Sequence, residues 1–241
     1  PDDLLGKADL ALYRAKADGR GTFSFYDVGM DQKLQARRDL TRDLRTAVSG
    51  GQLALHYQPL YGNDGQTLTG YEALLRWQHP TLGNIPPAQF IGLAEETGLI
   101  DAIGLWVLQK ACADAATWPA PLTVAVNLSP AQFASGNLVA AVTDALAAAH
   151  LSPRRLELEI TESLLMNNTD EVMATLRALS ALGVPIAMDD FGTGYSSLAY
   201  LWRFPFDKVK IDRAFTQHLG SDAKVDLIVK SIITLAHSLD I

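Results

Sequence analysis

Eight polar residues fall in or just after short runs of β-type sequence: Glu72, Arg76, Asn127, Glu159, Asp189, Asp190, Lys210 and Asp212. Side chains alternate between faces along a strand, so each run divides into two rows. In Val124-Ala125-Val126-Asn127-Leu128 the apolar row is 124, 126 and 128, which leaves Asn127 on the other face. In Leu156-Glu157-Leu158-Glu159-Ile160 the same division leaves Glu157 and Glu159 together. It sets Lys208, Lys210 and Asp212 opposite Val209 and Ile211, sets Asp189 opposite Ile186 and Met188, and puts Glu72 and Arg76 on one face. Four carboxylates and a carboxamide that converge repel one another unless cations neutralise them. All the candidate ligands are oxygen donors, which favours Mg²⁺ or Mn²⁺ over zinc. Two such ions roughly 3.5 to 4 Å apart would clamp the attacking water and the leaving oxygen of a phosphodiester. Arg76 and Lys210 would supply the remaining positive charge.

The elements that must position these groups read as an alternation of strands and helices. Strands are expected near 53–58, 68–75, 123–128, 156–160, 185–189 and 207–211, and helices near 88–96, 101–117, 138–149, 170–182, 196–202 and 222–238. Such alternation means an α/β fold with mainly parallel pairing. The first two strands are the exception, because Gly62-Asn63-Asp64-Gly65 and a few neighbours suit a hairpin. An open α/β sheet buries both faces, whereas strand after strand with one polar row implies a barrel with a polar lumen. Function in such barrels sits at the C-terminal strand ends, where Asn127, Glu159, Asp189 and Asp190 fall. Asp190-Phe191-Gly192-Thr193-Gly194-Tyr195-Ser196-Ser197 is a glycine-bearing turn between strand and helix. On spacing alone it is either a phosphate cradle at a helix N-terminus or a tight turn capped by Ser196.

Upstream, 3–17 reads as an amphipathic helix and 22–26 as a short strand, too little to bury a core and therefore the end of an earlier domain. A charged helix over 31–48 interleaves Arg37, Arg38, Arg42 and Arg45 with Asp39 and Asp43, a solvated face rather than a phosphate patch. Lys and Arg total 20 against 27 Asp and Glu, and the net charge of −7 excludes binding of a nucleic-acid polymer by bulk electrostatics. The single cysteine, Cys112, excludes an internal disulfide and reads as a small buried apolar residue in a reducing compartment. No apolar stretch approaches the roughly 18 residues that span a bilayer. Neither membrane contact by this segment nor a location outside the cytoplasm is expected, although a longer parent has room for an anchor upstream. The histidines show no ligand spacing, and His79 before Pro80 reads as a turn residue.

Glu72-Ala73-Leu74 with Leu75-Arg76-Trp77, then Val126-Asn127-Leu128-Ser129, Glu159-Ile160-Thr161-Glu162, Asp189-Asp190-Phe191-Gly192-Thr193-Gly194 and Lys210-Ile211-Asp212 resemble the EAL domain family from about residue 38 onward. Ala8-Asp9-Leu10-Ala11-Leu12-Tyr13-Arg14-Ala15-Lys16, with Gly19-Arg20 and Phe25-Tyr26, is similar to the closing segment of GGDEF domains, with Gly21 where that family usually has Asn. The resemblance implies two parts: a GGDEF remnant and linker over 1–30 and an EAL barrel over 31–241.

It further implies a (β/α)8 barrel of the TIM type with an antiparallel first strand, and hydrolysis of cyclic di-GMP to linear pGpG with two Mg²⁺ or Mn²⁺ ions. Under that resemblance Glu72, Asn127, Glu159, Asp189 and Asp190 bind metal, Glu72 also counting as catalytic. Arg76 holds a phosphate, with Leu74 and Asp212 also on the substrate, and Lys210 orients or deprotonates the water. Glu162 holds the 191–197 loop, including Phe191, Gly192, Thr193 and Gly194, which links the site to a homodimer. The alternative is a receptor that binds cyclic di-GMP without cleaving it. Against the eight strands of the family's barrel this sequence gives six after residue 50, so the chain is expected to stop before the last two and to be a poor enzyme alone.

Overall fold

The computed structural model describes residues 5, 7, 8, 11, 12, 23, 25–166, 169–192, 201, 204 and 206–241. Most of the helix expected over 3–17, part of the strand expected over 22–26, and all but Leu201 of the helix expected over 196–202 lie outside the described residues. The chain divides into two compact units, 1–50 and 51–241. In the first unit that helix, α1, spans Val28–Ala47 and is capped by Asp27, which accepts from the Gly29 amide. Arg42 pairs with Asp39 at 3.0 Å and with Asp43 at 3.2 Å on an exposed surface. Pairs of that kind contribute little.

The second unit is built on one seven-stranded sheet: β1 (Leu53–Tyr61), β2 (Leu68–His79), β3 (Gly83–Ile85), β4 (Thr123–Asn127), β5 (Leu156–Thr161), β6 (Ile186–Phe191) and β7 (Lys208–Ile211). Its order is β1-β2-β4-β5-β6-β7, with β3 attached to β2. β1 and β2 pair antiparallel as the hairpin spacing requires. Asp64 shapes their turn by accepting from the Gln66 and Thr67 amides at 2.9 Å. From β2 through β7 the remaining pairs on this path are parallel. Helices among its described residues include α2 (Pro87–Thr97), α3 (Leu99–Ala116), α4 (Pro130–Ala134), α5 (Leu138–Ala149), α6 (Thr169–Ala181), α7 (Arg213–Thr216) and α8 (Ala223–Ser238). This is the antiparallel-first α/β barrel architecture, with a sheet that does not close on itself among the described residues.

The core lies where the apolar rows meet the helices. Val124, Val126, Leu156, Leu158, Ile160, Ile186 and Met188 are all buried, as are Leu108 and Cys112 of α3 and Leu176 and Leu179 of α6. Full burial of one such aliphatic side chain stabilises the fold by roughly 1.5–3 kcal/mol, so the helix-facing row fixes each strand's register and thereby aims the opposite row. Burial pushes the Cys112 thiol up to about 11, consistent with an inert core residue. Trp77 is fully buried, meets Phe90 edge-on at 5.5 Å and donates its indole N–H to Gln52 Oε1 at 3.0 Å.

Two local features differ from the sequence-based expectation. β2 runs on to His79 because β3 pairs with its end, Trp77 opposite Ile85. His79 is the buried pivot of that turn, its Nδ1 accepting from the Thr81 and Leu82 amides. Asp212 does not continue the β7 row: it caps α7, accepting from the Ala214 amide at 2.6 Å. No helix among the described residues is long and apolar enough to cross a membrane.

The start of the β2–β4 pairing depends on a close backbone approach. Gly70 lies opposite Thr123, and a methyl group there would collide with the Thr123 carbonyl and hydroxyl. Gly70→Ala is expected to destabilise the protein by about 2 kcal/mol, read as a lower urea midpoint with an unchanged slope. An unchanged midpoint would show that β2 and β4 can separate at no cost.

Candidate active site in the lumen

Glu72, Leu74 and Arg76 alternate along β2, and the polar rows of β4, β5, β6 and β7 bring Asn127, Glu159, Asp189 and Lys210 to the same end of the sheet. Register explains their level: Glu72 lies opposite Ala125, Asn127 opposite Glu159, and Asp189 opposite Thr161. Oxygens of Glu72, Glu159 and Asp189 all come within 4.8 Å of one another. The Lys210 ammonium sits among them, 2.6 Å from Glu159, 2.9 Å from Asp189 and 3.3 Å from Glu72. The Asn127 carboxamide donates to Glu72 Oε1 at 2.9 Å.

Burial dominates the electrostatics. The Glu159 side chain is fully buried, and desolvation pushes its carboxyl up to about 7 despite the counteracting Lys210. Burial by itself would lower Lys210, but Glu159 and Asp189 outweigh it and hold the ammonium above its ordinary value. One oxygen of Glu159, Oε1, is buried with no hydrogen-bond partner among the described residues. A desolvated acceptor left without a donor is costly, and the Glu159 carboxylate belongs to a cluster of oxygen ligands. That donor set fits a hard divalent cation such as Mg²⁺ or Mn²⁺ and not a thiophilic metal.

Asp190 lies outside the three-carboxylate cluster. The β6–β7 register shifts between Met188 and Phe191, and Asp190 stands at φ 55°, an uncommon conformation for a residue with a side chain. Alternation does not foretell this local kink. The Asp190 carboxyl is raised by burial, by the Asp189 charge and by a hydrogen bond with Asp212. The backbone N–H of Asp190 donates to Asp189 Oδ1 at 2.9 Å and so orients that ligand.

Two loops are tied to the site. Glu162, buried after β5, accepts from the Gly192 amide at 3.3 Å, and Phe191 beside it is buried. Thr193, Gly194 and Ser196 lie outside the described residues. Beyond β4, Ser129 and Gln132 form a capping box on α4, and the Ser129 hydroxyl donates to Glu95 of α2 at 2.6 Å. This clamp fixes the chain just past Asn127. Its signal was present in the sequence as Ser-Pro-Ala-Gln, the capping-box spacing. A cavity of about 330 Å³ lies beside the cluster, bordered by Leu74, Arg76, Asn127, Glu95 and Ser129. Arg76 is not drawn into the carboxylates: its guanidinium donates to its neighbour's carbonyl, Leu75 O, at 2.9 Å.

An α/β barrel sheet with an antiparallel first strand and an all-oxygen acidic cluster at its C-terminal end defines a class, the α/β barrels whose strand-end carboxylates suit a hard divalent cation. Within that class, the family model for the EAL domain matches residues 41–241, and the chain belongs to the EAL domain family. It is 50% identical, over all of its length, to an uncharacterized signaling protein of Caulobacter vibrioides, covering 30% of that relative. It is 45% identical to the bifunctional diguanylate cyclase/cyclic di-GMP phosphodiesterase MucR of Pseudomonas aeruginosa, over 99% of this chain and 36% of MucR. The chain thus spans about a third of the length of these curated relatives. Among solved structures it resembles the PaMucR phosphodiesterase in complex with c-di-GMP, with a TM-score of 0.80, 47% identity, and 84% of each chain covered.

Proposed function

We propose that this chain carries a metal-dependent phosphodiesterase site that hydrolyses cyclic di-GMP to linear pGpG. The observation that carries the reading is the convergence of Glu72, Glu159 and Asp189 within one polar lumen, where buried Glu159 has one oxygen with no hydrogen-bond partner among the described residues. The descriptions of MucR and of its nucleotide complex support the choice of substrate.

When bound, Mg²⁺ or Mn²⁺ would supply Lewis-acid polarisation of the phosphate and lower the pKa of a water. Glu72, Glu159 and Asp189 would hold the cations, with Asn127 and Asp190 as further oxygen ligands. Arg76, whose fork is free of the carboxylate cluster, binds a phosphate oxygen, and Leu74 flanks the nucleotide beside the cavity. Lys210, held protonated, donates to oxygens in the cluster and orients the attacking water. Asp212 contacts the substrate from the start of α7.

The same reading takes residues 1–30 as the end of a GGDEF domain with its linker and 31–241 as the EAL barrel, within a longer cytoplasmic signalling protein. The loop tethered by Glu162 couples this site to a second copy of the chain. The experiment is hydrolysis of cyclic di-GMP by the full-length protein, followed by chromatography of the nucleotides. Product pGpG is expected with Mg²⁺ or Mn²⁺, and chelation with EDTA should reduce the rate at least about 100-fold. Tight binding without cleavage in either metal would make the protein a receptor, and chelator-resistant hydrolysis would overturn the metal assignment.

A further inference from the structure

Beneath the acidic cluster the lumen carries a second charged rung. Glu157 and Glu159 are successive lumen-facing residues of β5, and Lys208 and Lys210 stand in the same relation on β7. Lys208 Nζ donates to both oxygens of Glu157, at 2.7 and 2.6 Å, just as Lys210 Nζ approaches Glu159 at 2.6 Å. β6 lies between β5 and β7, and its Ala187 is the register neighbour of Lys208. Ala187 is fully buried, and its small side chain leaves room for the ion pair to cross β6.

The two partners do not need each other equally. The Glu157 side chain is only 10% exposed, whereas that of Lys208 is 47% exposed. A buried carboxylate without a partner is costly, whereas a half-exposed ammonium is readily served by water. The pair therefore answers a requirement on the Glu157 side of the rung. Residues two apart on a strand are separated by roughly 7 Å, and a lysine has a flexible four-carbon stem. Glu159 is thus within the swing of Lys208 as well as of Lys210. A second ammonium at that carboxylate would compete with a divalent cation for the same oxygens.

We propose that Glu157 is a positioning residue. By holding Lys208 at both of its oxygens, it keeps the lower lysine out of the Glu72, Glu159 and Asp189 cluster and leaves that cluster to Lys210 and a divalent cation. The inference rests on the reading of the cluster as a metal site.

The test is calorimetric titration of Mn²⁺ into the full-length protein and three variants, with a denaturation curve for each. Glu157→Gln keeps the shape and frees Lys208, and is expected to weaken Mn²⁺ binding roughly tenfold. Lys208→Gln removes the competitor and should bind at least as tightly as the wild type. The double variant Glu157→Gln/Lys208→Gln should return to within about threefold of it. Glu157→Gln with unchanged affinity would overturn the inference, as would a Lys208→Gln loss equal to that of Glu157→Gln. A double variant as weak as Glu157→Gln would also overturn it, since that is what a purely structural role gives. If Glu157→Gln does not fold, the other two variants decide: both must bind as well as the wild type, and weakening of either rejects the idea. A wild-type protein that binds no Mn²⁺ would instead bring down the metal-site reading itself.

Discussion

Glu72→Ala is expected to lower the rate of cyclic di-GMP hydrolysis by at least about 100-fold, equivalent to roughly 2.7 kcal/mol of lost transition-state stabilisation. The side chain is one of three that converge, and it does two further things: it accepts from the Asn127 carboxamide and lies 3.3 Å from the Lys210 ammonium. Its removal therefore subtracts a cation contact, releases Asn127 and leaves Lys210 more tightly committed to Glu159 and Asp189. Little of the fold depends on it, because the Glu72 side chain is partly exposed and the β2–β4 ladder is formed by backbone groups. The checks are steady-state rates in saturating Mg²⁺ and Mn²⁺ together with the urea midpoint. The expected outcome is a large rate loss at nearly constant stability. Near-normal hydrolysis would remove Glu72 from the site.

How much of this was legible in the sequence follows from which features are periodic. The polar row of each strand could be read because a buried apolar row opposite it fixes the face, and Asn127, Glu159, Asp189 and Lys210 all arrive where that division puts them. Six strands were found on the same signal. β3 was not, because Gly83-Asn84-Ile85 is too short for alternation and two of its residues disfavour strands. Asp212 was assigned to a strand row and left it to cap a helix, and the left-handed backbone of Asp190 at a register shift was not foreseen. Both events depend on one residue's backbone, which no hydrophobic pattern reports. The partnership of Lys208 with Glu157 was equally hidden. Alternation shows that both face the lumen, but which lysine meets which carboxylate depends on stagger between strands that never pair directly.

Lys210→Ala and Arg76→Ala should separate two kinds of cationic work. Lys210 is largely buried and donates to all three carboxylates, so its ammonium is fixed by the site whether or not a nucleotide is bound. A group fixed in that way contributes to the reacting geometry more than to ground-state binding. Lys210→Ala is expected to reduce kcat by about 100-fold or more, in the range of a positioned proton donor or acceptor, with little change in KM. Among the described residues Arg76 hydrogen-bonds only to the carbonyl of its own neighbour, and it borders the cavity, which leaves its fork available to a phosphate. Arg76→Ala is therefore expected to raise KM by about tenfold or more, the loss of one charge-assisted contact, with a smaller effect on kcat. Lys210→Arg sharpens the comparison, because it keeps the charge while replacing a compact ammonium by a planar fork among three converging oxygens. It should recover stability without recovering rate. A KM effect confined to the Lys210 variants, with kcat lost in Arg76→Ala, would reverse the two roles and place the phosphate against the lysine.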